Sequence, residues 1–140
     1  MSTNSTIAFE NEDGSVFQIG CHWDGYIEHN GRLLNEHWQD PAKILQLIQL
    51  GDLSSLGREI GRQQHFDKRN SNWCLAYGRD RGESDVGARN FESFDQYTTY
   101  GDFAEFNYIF RNGRWLVAQE DLKFQPLSAA LNKIAVEALK

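Results

Sequence analysis

Apolar and polar residues alternate from Thr6 to Glu10, with Ile7 and Phe9 on one side. That is the pattern of a half-buried strand. The next segment, Asn11-Glu12-Asp13-Gly14, ends in Asp-Gly, a strong hairpin turn because glycine accepts positive φ. The alternation resumes from Ser15 to His22 as a second strand. Phe17, Ile19 and Cys21 fall on one face, and Val16, Gln18 and His22 on the other. This places Cys21 as a small buried hydrophobe and leaves His22 free to reach solvent or a site. The strand then runs into Cys21-His22-Trp23-Asp24-Gly25-Tyr26, a dense knot of polar and aromatic residues.

Helical spacing takes over after a loop or helix entry at Gly25 to Gly31. Leu33, Leu34 and Trp38 suit a short amphipathic helix. Asp40-Pro41 marks the start of another: Asp caps it, and Pro at the first position gives up an amide that has no partner there. Ile44, Leu45, Leu47, Ile48 and Leu50 give this helix a broad apolar face, and Gly51 closes it. Asp52 is expected to cap a further helical turn over Leu53 to Ile60.

Arg62 to Asn72 is polar and reads as an exposed connection. Trp73 to Tyr77 alternates as a strand and leads into Arg79-Asp80-Arg81-Gly82-Glu83, then a Gly- and charge-rich loop to about Asn90. Phe91, Phe94, Tyr97 and Tyr100 recur at three-residue spacing, as in a short helix or irregular stretch packing its rings on the core. Glu105 to Arg111 and Arg114 to Glu120 form the clearest hairpin, joined by Asn112-Gly113, the preferred pair for a type I′ turn. Phe106, Tyr108 and Phe110 share a face, with Trp115 and Val117 across from them. Pro126 precedes a last helix with Leu127, Leu131, Ile134 and Ala138 on one side. The order hairpin, helices, strand, hairpin, helix predicts a single α+β domain over residues 1–140. Its sheet is expected to be mostly antiparallel, about five strands from two hairpins and one strand, with helices packed on one face.

Composition narrows the function classes. The 140 residues carry 14 Lys and Arg against 20 Asp and Glu, a net charge of −6. Generic nucleic-acid and anionic-membrane binding both rest on clustered cations and are not expected. The N-terminus lacks the basic and apolar regions of a secretory signal, and no apolar run reaches the length of a membrane span. A cytoplasmic protein with Cys21 and Cys74 as reduced thiols is expected. No CxxC pair, Walker loop, dinucleotide fingerprint or G-x-S-x-G elbow occurs, so neither a metal, a cofactor nor a catalytic residue is assigned.

One candidate surface remains. His22, Trp23, Asp24 and Tyr26 end one strand; Arg79, Asp80, Arg81 and Glu83 end another. If those ends meet, carboxylates and guanidiniums converge beside two rings. Arg forks suit phosphate and rings stack on bases, so a nucleotide or small phosphate ligand fits the cluster. A salt-bridged network tying a loop to the sheet edge uses the same residues and leaves no site.

CHWDGY at Cys21 to Tyr26, IQLGDLSSLG at Ile48 to Gly57 and AYGRDRGE at Ala76 to Glu83 together resemble a family of small proteins common in phage and prophage genomes. The resemblance runs from the first hairpin to the Asn-Gly hairpin. The chain departs from that pattern at Ile27, where proline is typical, and at Gly78, ahead of the RDRGE run. The family carries no assigned activity or catalytic residues. What the resemblance implies is context: an accessory protein made during infection that acts in the host cytoplasm by binding a host protein. Inhibition of a defence component, such as a CRISPR effector, is one form of that action. The alternative is a nucleotide or phosphate-ligand binding protein, or a hydrolase, using Asp24, Arg79 and Arg81.

Overall fold

Two hairpins form the centre of the sheet. The computed structural model describes residues 2–139. In the first hairpin, β1 (Ser5–Glu10) runs antiparallel to β2 (Val16–Cys21), with Ile7 opposite Ile19 and Phe9 opposite Phe17. The turn closes through the Asn11 amide on the Ser15 carbonyl, with Gly14 at φ 89°. The second hairpin follows the sequence reading as closely. Eight elements separate it from the first in the chain, but it lies directly beside it.

Between the hairpins come a π-helical turn (Ile27–Gly31), α1 (Arg32–His37), α2 (Pro41–Gln49), β3 (Leu53–Ser55), β4 (Leu75–Ala76), α3 (Tyr77–Arg81), β5 (Arg89–Phe91) and α4 (Phe94–Tyr100). Then β6 (Phe106–Arg111) and β7 (Arg114–Ala118) pair, with Phe110 opposite Trp115 and Tyr108 opposite Val117. Asn112 and Gly113 take φ 55° and 78°, as a type I′ turn demands. A short β8 (Gln125–Pro126) and α5 (Leu127–Ala138) complete the chain.

The α+β class is as expected, but the sheet is larger and mixed. Eight strands take the order β4-β3-β2-β1-β6-β7-β8, with β5 pairing β2 beside β3. The two hairpins join through parallel pairing of β1 with β6, and β3 also runs parallel to β2. Five strands, mostly antiparallel, is therefore corrected to eight with two parallel seams. The helical turn expected after Asp52 is strand β3 instead. Asp52 does not cap; its carboxylate accepts the Gly20 amide at 2.8 Å and so ties β3 to β2. The expected strand Trp73 to Tyr77 shortens to Leu75–Ala76, with Trp73 held by an isolated bridge to Glu59.

Helices cover both faces rather than one. On the first face, Leu34, Trp38, Ile44, Leu47 and Leu127 from α1, α2, α5 and their flanks pack on Ile7, Ile19 and Tyr108. Asp40 caps α2 by accepting the Ala42 amide at 3.0 Å. Gly51, at φ 77°, follows it; a Cβ there would lie 2.3 Å from the Val86 carbonyl oxygen. On the second face, Ala8, Val16 and Ile109 pack under Tyr97 of α4, with Phe91, Phe94, Phe103 and Phe124 around them. Of the recurring rings, Phe91, Phe94 and Tyr97 pack on a core, the second one, while Tyr100 is exposed. Gln18 is fully buried on this face because its amide group holds both the carbonyl and the amide of Asp102, at 2.8 and 3.1 Å. No helix among the described residues is long and apolar enough to cross a membrane.

Candidate functional site

The end of β2 is fixed through its main chain. The His22 and Trp23 amides donate to the Leu53 and Ser54 carbonyls at 3.0 Å each, extending the pairing with β3. Asp24 then takes φ 58°, which reverses the chain. Left-handed backbone is costly for most residues, and Asp is among the few that adopt it. Gly25 follows in a space that admits no side chain: a Cβ would lie 2.6 Å from that of Ser5. Its amide donates to Thr3, and its carbonyl accepts the Tyr108 hydroxyl at 2.7 Å.

Asn30, fully buried, closes the knot from the π-helical turn. Its side-chain amide reaches the Trp23 carbonyl and the Ser5 hydroxyl, both at 3.3 Å, and the Cys21 sulfur at 3.5 Å. Burial pushes the Cys21 thiol up to about 12, and the Cys74 thiol up to about 11. Both cysteines are free and buried. Around this fixed backbone the side chains of Trp23 and Tyr26 stay out in solvent, 44% and 38% exposed.

The segment after β4 is fixed in the opposite way, through side chains. Tyr77 to Arg81 forms the single helical turn α3, closed by Gly82 at φ 69°. The Asp80 side chain is fully covered. It accepts the amides of Gln64 and Ala76 at 3.0 and 2.8 Å and the Arg79 Nε at 2.9 Å. Burial works to raise its pKa, but the Arg79 hydrogen bond and the two amides outweigh that and hold it below the ordinary carboxylate value. Arg79 also donates to the carbonyls of Ile60 and Cys74, at 2.7 and 2.6 Å. Arg81 is exposed, donates to Glu83 at 2.6 Å, and lies over the rings of Phe66 and Tyr77 at 4.6 and 4.9 Å.

The two strand ends do approach each other, since only β3 separates β2 from β4. What meets is His22 and Tyr77: the hydroxyl sits 3.3 Å from Nδ1. His22 also stacks on Trp23 with ring centroids 4.7 Å apart. The charged groups stay local. Arg79 pairs with Asp80 and Arg81 with Glu83, while Asp24 comes within 4.0 Å of His29. Among the described residues no ion pair joins Asp24 to Arg79 or Arg81. A shallow depression of about 290 Å³ includes His22, Tyr77, Asp52 and Phe103 in its lining, and Trp23 and Tyr26 lie outside it.

Three residues at this site are not among the site residues expected from the sequence. Asn30 sits in an unremarkable loop, and nothing local announces that it is buried. Tyr77 reads from the sequence as a strand residue, but it begins α3 and reaches His22. Asp52 is bound by a fork from Arg89 at 3.0 and 3.2 Å, and Arg89 also holds Asp102 at 2.8 Å. Among the described residues, no three or more His, Cys, Asp or Glu side chains gather as a metal site would require. No family model, curated protein or solved structure matches the chain.

Proposed function

We propose that this chain is a small phage accessory protein that acts in the host cytoplasm by binding a host protein, as a takeover or anti-defence inhibitor without catalysis of its own. A CRISPR effector is one target of that kind. The phage context rests on the resemblance of the CHWDGY, IQLGDLSSLG and AYGRDRGE segments; the observation that supports binding is the knot at the end of β2. Backbone hydrogen bonds, a reversed residue and a buried Asn hold it in one conformation, yet its two largest side chains face water. Trp, Tyr and Arg dominate the energetics of protein interfaces. Presenting them on rigid backbone lowers the ordering cost of association. Trp23 and Tyr26 have that presentation, and contacts through Tyr77 and His22 link Arg81 to Trp23.

A phosphate or nucleotide site is the weaker reading. Arg79 spends its donors on Asp80, Ile60 and Cys74, and Arg81 is turned onto Glu83 and two rings. The test is capture from host-cell extract by the tagged chain and by its Trp23→Ala and Tyr26→Ala variants. The reading expects a reproducible host protein retained by the parent and lost with Trp23→Ala. Retention of the same protein by both ring variants would move the interface elsewhere.

A further inference from the structure

Residues 58–83, which include Glu83, the partner of Arg81, carry six Lys and Arg against four Asp and Glu, a net of +2 in a chain of net −6, so all other residues together carry −8. This concentration is also one place in the fold. It wraps β4, the terminal strand of the sheet. Its own hydrogen bonds order it: Gln64 to Asp80, Asn70 to Gln64, Arg69 to Ser55 and the bridge from Glu59 to Trp73.

Arg58, Arg62 and Lys68 are exposed, and among the described residues no carboxylate pairs with any of them. Arg62 lies over Trp73 at 5.5 Å, and Arg81 covers Phe66 and Tyr77. The island reaches the Trp23 knot through the contact of Tyr77 with His22.

We propose that this island is the electrostatic half of the recognition surface, docking an acidic face of a protein partner while Trp23 supplies the apolar anchor. The proposal rests on the binding reading above and adds the chemistry of the partner. Two observations favour an acidic protein face over a nucleic-acid strand. Single-strand binding needs a run of open rings on which successive bases stack. Here Phe66, Tyr77 and Trp73 lie against guanidiniums, and the open rings, Trp23 and Tyr26, belong to the knot rather than to a run along the island. A strand would also run past the island onto the remainder of the chain, whose net charge is negative and repels a polyanion; a compact acidic patch would not extend that far. A chain polarised in this way also orients its approach to an acidic patch, and the gain falls as salt screens it.

The test uses a defined probe: a labelled peptide of alternating Asp and Glu around one Phe. Its Asn and Gln counterpart and an oligo-dT of equal charge are the controls. Backbone amide shifts locate the site and anisotropy measures affinity. The acidic peptide should shift amides of residues 58–83 and of Trp23. Its affinity should fall about tenfold or more between about 50 and 300 mM salt. Combined Arg58→Glu, Arg62→Glu and Lys68→Glu should weaken it at least as much; the salt series on the parent chain decides the matter should that variant not fold.

Equal binding of the uncharged peptide, shifts confined to other segments, or tighter binding of the oligo-dT would each overturn the proposal. Extract capture separates the two readings. Capture that needs Trp23 but ignores the charge reversal overturns the acidic docking alone. Capture that ignores Trp23, with peptide binding still lost on charge reversal, overturns the anchor reading and leaves the acidic docking standing.

Discussion

Asp24 and Asp80 occupy comparable places, each a few residues past a strand end and each in a segment where the chain turns away from the sheet. Their roles are opposite. Asp80 gathers two amides and a guanidinium and disappears from the surface. Asp24 reverses the backbone at φ 58° and leaves its carboxylate half-exposed, near His29 alone. Around Asp80, side chains do the holding, so little side-chain chemistry is left for a partner. Around Asp24, main-chain bonds and Asn30 do the holding, so Trp23 and Tyr26 are left free. A polar knot presents a surface when its backbone satisfies itself and is consumed by the fold when its side chains must satisfy the backbone.

Asp80→Ala should break this contrast most strongly. It strands two amides and the Arg79 guanidinium, so the expected loss is about 3–5 kcal/mol, read by urea denaturation. A loss under about 1 kcal/mol would mean the network is relaxed by water. The pH dependence sharpens the same point. The folded-state pKa of Asp80 is lowered, so its stabilisation is fully present above the unfolded value of about 3.9 and is lost as pH falls through the folded one. The stability gap between the parent and Asp80→Asn should therefore stay constant from neutrality to about pH 4 and narrow below it. A gap that closes already between neutrality and that point would assign the effect to another group.

Asn30→Ala comes next. It removes the side chain that reaches the Trp23 carbonyl and the Ser5 hydroxyl in a buried site, at an expected cost of about 1–3 kcal/mol. Amide exchange should quicken at Trp23 and Gly25 first, ahead of residues in β6; uniform quickening would show that Asn30 supports the whole sheet rather than the knot. Asp24→Gly should change stability by less than about 1 kcal/mol, because glycine takes positive φ without the penalty of a Cβ. Asp80→Gly should behave like Asp80→Ala. If the two glycine variants melt together, the two aspartates are equivalent and the comparison fails.

How much of this was legible in the sequence follows from how local each signal is. Both hairpins read correctly because Asp-Gly and Asn-Gly fix a turn and alternation fixes the faces. Asp40, Pro41 and Gly51 bounded α2 by capping chemistry alone. The parallel seam between β1 and β6 could not be read: Thr6 meets Asn107 at 2.8 Å across a separation of 101 residues. β3 is three residues, too short for a period, and Asp52 before it looks like a cap until Gly20 claims its carboxylate. β5 lies in a Gly- and charge-rich stretch whose side chains are only half-buried. The second core hid because Ala8, Val16 and Gln18 do not look like a buried face. One half of the candidate cluster follows the end of β2 and the other lies on the helical turn after β4, where adjacent Arg79 and Asp80 satisfy each other, an arrangement that spacing alone does not separate from a site.

The smallest expected stability effect tests the comparison most directly. Trp23 is large, and truncating a buried Trp typically costs about 3–5 kcal/mol. Here its ring is 44% exposed, and its structural work is done by an amide and a carbonyl that any residue supplies. The contact the ring itself is seen to make is the stack on His22, also exposed. Trp23→Ala should therefore unfold within about 0.5–1 kcal/mol of the parent, whereas Ile19→Ala, two residues inside the same strand end and fully buried, should lose about 2–5 kcal/mol. The measurement is urea denaturation of both variants beside extract capture. A folded Trp23→Ala that no longer retains a protein captured by the parent makes the ring an anchor. A Trp23→Ala that unfolds as readily as Ile19→Ala makes it a core residue instead, because a ring held for folding must be burying area that its exposure does not reveal.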